Sequence, residues 1–92
     1  MTREPRTLAV VKPRLNSRIR LEKLKRYPAL KRHVLGKNVR IWSAQWEMWW
    51  RENAQGYTPD KSEAWVTTFE HAWDVSAHAG PEKQIEYVVT EP

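Results

Sequence analysis

Three side chains that can bind a metal or transfer a proton lie at helical spacing in the C-terminal half of the sequence. His71, Asp74 and His78 stand at i, i+3 and i+7, and a helix would bring them onto one face. Three ligands from one exposed helix rarely close a metal site, and no fourth ligand is evident. No nucleophile or paired buried carboxylate accompanies them, which also disfavours general acid/base catalysis. We interpret this face as solvated and predict a non-enzymatic protein without a metal or cofactor.

The basic residues of the N-terminal half form a second candidate functional group. Residues 1–41 carry a net charge of +11 and residues 42–92 a net charge of −6, which together give +5. This asymmetry predicts a polyanionic partner, because Lys and Arg gain affinity for phosphates through counterion release. The candidate nucleic-acid-binding residues are Arg14, Arg18, Arg20, Lys23, Lys25, Arg26, Lys31 and Arg32. Two alternatives are pairing with the acidic half of the same chain and binding to an acidic protein.

A third candidate site is aromatic. Trp49 departs from the alternation of the tryptophans around it, stands close to Arg51, and is followed by Tyr57 after a turn. Trp, Tyr and Arg dominate protein interfaces, and an exposed ring beside an arginine can also stack on a base. These three residues are the candidate protein interface. The competing interpretation is that Trp49 packs under the N-terminal helices.

The elements that position these groups must come from one small domain. A chain of 92 residues buries only about 60 to 65% of its unfolded surface, so each large side chain matters. The expected core residues are Trp42, Trp46, Trp50, Trp65, Phe69 and Trp73. The sequence has no cysteine, no apolar stretch of membrane-spanning length and no signal peptide. We therefore expect a cytoplasmic protein without disulfides or membrane contact.

The stretch from Val39 to Thr58 allows two periodicities. In steps of two, the tryptophans at 42, 46 and 50 share one side, as in a half-buried strand. At helical spacing, 42, 46, 49 and 50 also share a face. We favour one strand over residues 39–51, because β-branched residues and tryptophans suit strands. A turn should follow at residues 53–57, where Gly56 is available for positive φ.

The N-terminal region is predicted to hold a mobile basic arm followed by two short basic helices or one kinked helix. The arm spans residues 1–15. The first helix should run over residues 18–27, with Asn16 or Ser17 as its N-cap. Pro28 should begin the second helix and Gly36 should end it.

After the turn, the sequence predicts a strand at 64–67, a helix at 68–79 and a strand at 85–89. Thr68 is the expected N-cap of this helix, while Gly80 is expected at the C′ position and Pro81 prevents continuation. The fold class is therefore α+β, with basic N-terminal helices and a small antiparallel sheet on which one helix packs. Residues 16–92 are expected to form one domain, with basic helices at 16–37 and a Trp-rich ββαβ core at 39–92.

Four short motifs carry a resemblance to a known group of proteins. They are Trp49-Trp50-Arg51, Gly56-Tyr57-Thr58, Phe69-Glu70-x-Ala72-Trp73 and His78-Ala79-Gly80-Pro81-Glu82-Lys83. Together they resemble a pattern of small uncharacterised proteins from tailed phages and prophages, over residues 39–89. Ala79 stands where that pattern often has cysteine, and Trp65 where it often has glycine. The resemblance implies a source and a size class but no mechanism.

We predict a small phage or prophage accessory protein that acts by binding, in the cytoplasm of a bacterial host. Its expected ligand is nucleic acid or a nucleoprotein, held by the basic N-terminal helices. The alternative function is a protein–protein inhibitor or adaptor of a host or defence complex, similar in action to anti-CRISPR proteins. That alternative would use the surface around Trp49 and Arg51.

Overall fold

The computed structural model describes residues 18–90, which form a six-stranded antiparallel sheet with helices packed on it. The predicted α+β class and the small antiparallel sheet are confirmed. In chain order the elements are β1 (Arg18–Arg20), α1 (Leu21–Arg26), a 3₁₀ helix (Pro28–His33), β2 (Asn38–Ser43), β3 (Met48–Trp50), β4 (Tyr57–Thr58), β5 (Thr67–Thr68), α2 (Phe69–Ser76) and β6 (Ile85–Val89). Single 3₁₀ turns occupy Glu52–Ala54, Lys61–Glu63 and Pro81–Lys83.

Strand β2 is the centre of the sheet. The strand order is β1-β6-β2-β3-β4, and β5 also pairs with β2. Val39 lies opposite both Val89 of β6 and Thr67 of β5, so β5 occupies the side of β2 where β3 also pairs. The predicted strand at 85–89 is confirmed as β6, which pairs with β2 so that Ile41 lies opposite Tyr87.

The core lies between one face of the sheet and the two α helices. Val39 and Ile41 alternate into it from β2, where both are fully buried. The buried cluster comprises Leu21, Leu24, Val34, Val39, Ile41, Phe69, Ala72, Ile85, Tyr87 and Val89. Trp50, Trp65 and Trp73 are partly buried against its margin. The centre of the core is therefore largely aliphatic, and the prediction of a tryptophan core is wrong there.

Helix α2 begins and faces the core as predicted. The Thr68 hydroxyl accepts a hydrogen bond from the His71 N–H at 3.2 Å, as an N-cap does. Phe69, Ala72 and Ser76 are buried on the side that meets the sheet.

The predicted end of this helix is wrong. It ends at Ser76, three residues earlier than expected, and the N–H of Ala79 bonds back to the Ser76 carbonyl in a tight turn. Gly80 has φ of −77° and begins the 3₁₀ turn Pro81–Lys83. It is therefore not a left-handed C′ residue, and the chain leaves the helix through the turn at Ala77–Ala79.

The predicted first basic helix is wrong at its beginning. Residues Arg18–Arg20 form the edge strand β1, in which Ile19 lies opposite Tyr87 and packs against the core. The helix starts at Leu21, and Arg20 occupies its N-cap without a side-chain bond. Strand pairing wins over helical periodicity here because it brings Ile19 into the core. The proposed caps Asn16 and Ser17, and the arm 1–15, lie outside the described residues.

The second basic helix is present as a 3₁₀ helix. Pro28 is its first residue, as predicted, and it ends at His33. Gly36 follows in a turn with φ of +79°, and its N–H donates to Glu70 Oε2 at 2.7 Å. This bond ties the end of the basic segment to the first turn of α2.

Residues 39–51 form two strands, so both the single strand and the alternative helix are wrong. Strands β2 and β3 are joined by a four-residue turn, Ala44–Glu47. Ser43 Oγ accepts from the Trp46 N–H at 3.2 Å, and Glu47 adopts a left-handed φ of 55°. This turn contains none of the Gly, Pro, Asn or Asp residues that usually mark one. The next turn is as predicted, with Gly56 at φ of +97° and β4 pairing back onto β3.

The hairpin places Trp42 on the face opposite to the predicted one, whereas Trp49 and Trp50 lie on their predicted faces. Trp42 and Trp49 lie opposite each other on the face away from the helices, with ring centroids 4.8 Å apart. Trp46, expected in the core, lies in the turn and is 54% exposed. Trp50 packs against the core from β3. Because the four-residue turn interrupts the strand, residues an even number apart on its two sides no longer point to the same face of the sheet.

The strand predicted at 64–67 lies further along the chain, as β5 at Thr67–Thr68. Val66 is 44% exposed. The N–H of Trp65 nevertheless bonds to the Trp50 carbonyl at 3.0 Å, which keeps this segment against β3. The sequence predicts three strands, whereas the structure has six within residues 18–90.

Candidate nucleic-acid interface

A basic groove of about 730 Å³ lies between the edge strand β1 and helix α1. It is lined by Arg18, Arg20, Glu22, Lys23, Lys25, Arg26 and Tyr27, five of which are basic. A smaller groove of about 350 Å³ adjoins it and shares Arg20 and Glu22. The basic groove therefore gathers five of the eight residues that the sequence predicts to bind phosphates.

Two apolar anchors explain why the cations face outward. Leu21 and Leu24 are each 1% exposed and hold α1 against the sheet. This leaves Lys23 and Arg26, three residues apart, on the exposed side of the helix. In β1, Ile19 points inward, and the period of two sends Arg18 and Arg20 to the other face.

Little charge on the protein neutralises this groove. Arg18 lies 3.5 Å from Glu86, and Lys25 lies 3.7 Å from Glu22. Both are partly exposed pairs, which contribute about 0 to 1 kcal/mol each. The side chains of Arg20, Lys23 and Arg26 make no ion pair or hydrogen bond within residues 18–90. They are available to an anionic ligand.

The acidic half of the chain does not cover the basic half in the described residues. Among residues 18–90, the pair Arg18–Glu86 is the one side-chain ion pair that joins the two halves. Arg51 pairs with Glu63 inside the acidic half, at 3.3 Å. Few of the basic side chains within residues 18–90 are therefore neutralised by the acidic half.

The remaining predicted phosphate-binding residues are not in the groove. Lys31 places its ammonium 4.1 Å from the centre of the Trp73 ring, a cation–π contact that fixes the 3₁₀ helix to α2. Arg32 is exposed but does not line the groove. Arg14 lies outside the described residues.

Two groove residues were missed by the sequence-based prediction. Tyr27 is 48% exposed, and its backbone is held between the two helices: its N–H bonds to the Lys23 carbonyl and its carbonyl accepts from Leu30. Glu22 presents a carboxylate whose Oε2 atom is buried and has no hydrogen-bond partner among the described residues. Helical spacing alone predicts that Tyr27 shares the apolar side of the helix with Leu21 and Leu24, whereas the structure places it at the rim of the groove.

The candidate protein interface is only partly on the surface. Trp49 is 7% exposed and is therefore a packing residue, but it packs against Trp42 on the face of the sheet away from the helices and not under the N-terminal helices. Arg51 is exposed and donates to Glu63, which also accepts a hydrogen bond from the Thr58 hydroxyl at 2.9 Å. Tyr57 is 39% exposed, with its ring edge-on to Trp50. Trp49 cannot be an exposed anchor in this arrangement.

The trio His71, Asp74 and His78 lies on the exposed side of α2 and the turn after it. No group of three or more metal-binding side chains occurs in the part of the chain that the structure describes. The ring of His71 packs edge-on against Trp65, with centroids 5.3 Å apart, and its Nδ1 lies 3.4 Å from the Thr67 hydroxyl. His71 is therefore engaged with its neighbours.

Comparisons of the chain with protein-family models, with curated proteins and with solved structures found no match. Between residues 18 and 90 no helix is long and apolar enough to cross a lipid bilayer.

Proposed function

We propose that the protein binds nucleic acid, alone or within a nucleoprotein, through the basic groove between β1 and α1. The observation that carries this proposal is the grouping of five cationic side chains in one groove, three of them without a partner among the described residues. Lys and Arg at this density bind phosphates by releasing counterions, independently of sequence. We further propose that it acts as an accessory protein of phage or prophage origin in the cytoplasm of the bacterial host, as the motif resemblance implies.

Electrostatic attraction between the groove and phosphates should supply most of the affinity for nucleic acid. Five phosphate contacts predict that affinity falls about 100-fold or more between roughly 50 and 200 mM salt. Fluorescence anisotropy with labelled single-stranded and duplex oligonucleotides measures this dependence. A flat salt response, or no binding at low salt, would contradict the proposal.

A matched pair of variants locates the binding surface. Lys23→Gln combined with Arg26→Gln removes two groove charges, whereas Lys37→Gln combined with Lys83→Gln removes two exposed charges outside the groove. Both pairs lower the formal net charge from +5 to +3. We expect the groove pair to weaken binding about 10-fold at low salt and to flatten the salt dependence, with the control pair close to wild type. Equal losses in both would assign the effect to overall charge.

The alternative function, inhibition or bridging of a host or defence complex, has weaker support. Its leading anchor, Trp49, is buried, and Arg51 is engaged with Glu63. Tyr57 keeps an exposed ring, and Trp46 is the most exposed tryptophan within residues 18–90. If nucleic-acid binding fails, Trp46→Ala and Tyr57→Ala are the variants with which to examine a protein partner.

A further inference from the structure

We propose that the basic groove takes single-stranded nucleic acid, with a base stacked on Tyr27 and the neighbouring phosphates on Arg20, Lys23 and Arg26. This inference rests on the proposed function and specifies its substrate class. Tyr27 is the observation that separates a single strand from other polyanions, because phosphate binding alone does not require an aromatic ring.

The ring of Tyr27 is accessible to a ligand, and the backbone of this residue is held in place by hydrogen bonds. The residue is 48% exposed and lines the groove together with the five cations. Its ring makes no aromatic or cation–π contact with another residue in the range 18–90. Hydrogen bonds of 2.9 Å on both its N–H and its carbonyl, and Pro28 after it, hold the backbone in place. A base can therefore stack on the ring without the loop having to order first.

Stacking requires a base that is not already paired and stacked inside a duplex. Small domains that bind single strands combine a positively charged groove with aromatic rings on which successive bases stack. In a duplex the bases are shielded by the backbones, and Tyr27 would contribute little. The grouping of five cations with one exposed ring thus matches a single strand.

Glu22 points to the same ligand. Its carboxylate lies among the cations, and Oε2 lacks a hydrogen-bond donor although Lys25 Nζ stands 3.7 Å away. A phosphate beside this carboxylate would be repelled, so a bound strand should place a base and not a phosphate next to Glu22. The groove therefore has places for phosphates and a place where a base edge is preferred.

A second aromatic group lies beyond the opposite end of the groove. The Arg18 guanidinium lies 4.9 Å from the centre of the Trp42 ring, on the face of the sheet away from the helices. Arg18 thus lies between the groove and the Trp42–Trp49 pair. A strand that leaves the groove past Arg18 would therefore reach the stacked Arg18–Trp42 pair.

The test compares three polyanionic probes on the wild type, Tyr27→Ala and Tyr27→Phe. The probes are an unstructured single strand of about 16 nucleotides, the upper end of site sizes for small single-strand-binding domains, the duplex of the same sequence, and heparin as a polyanion without bases. We expect the wild type to prefer the single strand over the duplex. Tyr27→Ala should lower single-strand affinity about 10- to 100-fold, the loss of one stacked base, and leave heparin binding unchanged, while Tyr27→Phe should retain the affinity.

Each outcome separates this inference from the proposed function. Salt-sensitive binding that is equal for single strand and duplex and insensitive to Tyr27→Ala would overturn the inference and leave the proposed function standing. Absence of binding to both nucleic acids would overturn both. An equal loss on heparin in Tyr27→Ala would show that the ring supports the groove's shape and would also overturn the inference. Thermal unfolding of each variant verifies that the fold is retained.

Discussion

Tyr87 is the residue at which the central strands and helix α2 meet. Its ring is fully buried and lies edge-on to Phe69, with centroids 5.3 Å apart. Its hydroxyl lies 2.6 Å from Ser76 Oγ, which in turn donates to the Ala72 carbonyl at 2.6 Å. Since the single hydroxyl proton of Ser76 is used on that carbonyl, the Tyr87 hydroxyl is the donor between them. Both buried hydroxyls are thereby satisfied.

The buried phenol predicts a stability loss at alkaline pH. Burial raises the pKa of Tyr87 from 10.0 to about 12. The unfolded chain therefore releases this proton first, and stability is lost as pH rises from about 10 towards 12. The loss should reach about 2 kcal/mol at pH 12.

Tyr87→Phe provides the control for this prediction, because it cannot ionise. Urea unfolding followed by tryptophan fluorescence measures the stability of both proteins at each pH. We expect the difference between wild type and Tyr87→Phe to shift in favour of the variant above pH 10, about the ordinary tyrosine pKa. A difference that stays constant with pH would show that Tyr87 has an ordinary pKa.

At the scale of elements, helix α2 depends on its N-terminal cap. The helix has only eight residues, so its ends form a large fraction of its backbone hydrogen bonding. Thr68 supplies the one side-chain cap at its beginning, to the N–H of His71. The orphan N–H would otherwise face water at the exposed surface.

Thr68→Ala is therefore expected to destabilise the protein by about 1 kcal/mol, and Thr68→Ser by much less because it keeps the hydroxyl. Thermal unfolding should show a decrease of about 4 to 8 °C in Tm for the alanine variant of a domain this size. Equal Tm values for the two variants would mean that the hydroxyl does not cap α2.

At the scale of the whole molecule, the basic segment is part of the core and not an appendage to it. Leu21 and Leu24 stand among the basic residues of α1, yet each is buried in the same cluster as Phe69 and Tyr87. Strand β1 also extends the sheet beyond β6. The groove is thus held by the same contacts that hold the fold.

Separate variants of α1 measure how much its buried side and its exposed side each contribute to stability. Leu21→Ala with Leu24→Ala should cost about 4 to 10 kcal/mol, enough to unfold a domain whose total stability is about 5 to 15 kcal/mol. Lys23→Gln with Arg26→Gln should change stability by less than about 0.5 kcal/mol. Circular dichroism and urea unfolding check both. Survival of the fold in the leucine variant would show that α1 is dispensable.

Local patterns in the sequence were sufficient for elements whose cause is local. Thr68 before an apolar periodic run predicted the start of α2, and Gly56 predicted the turn that brings β4 back to β3. The β-rich run Ile85–Val89 predicted β6. The charge asymmetry identified the basic segment, because charge is a property of composition.

The tertiary structure decided what depends on distant partners. Arg18–Arg20 is a strand because Ile19 finds Tyr87 across the sheet, a contact 68 residues away in sequence. The turn at Ala44–Glu47 lacks the usual turn residues and is closed by Ser43, so no local pattern indicates that Trp42 and Trp50 lie on opposite faces of the sheet. The groove itself exists only where β1 and α1 meet. The sequence determined that the N-terminal half is cationic, whereas packing determined which five cations face one cavity and that Tyr27 stands among them.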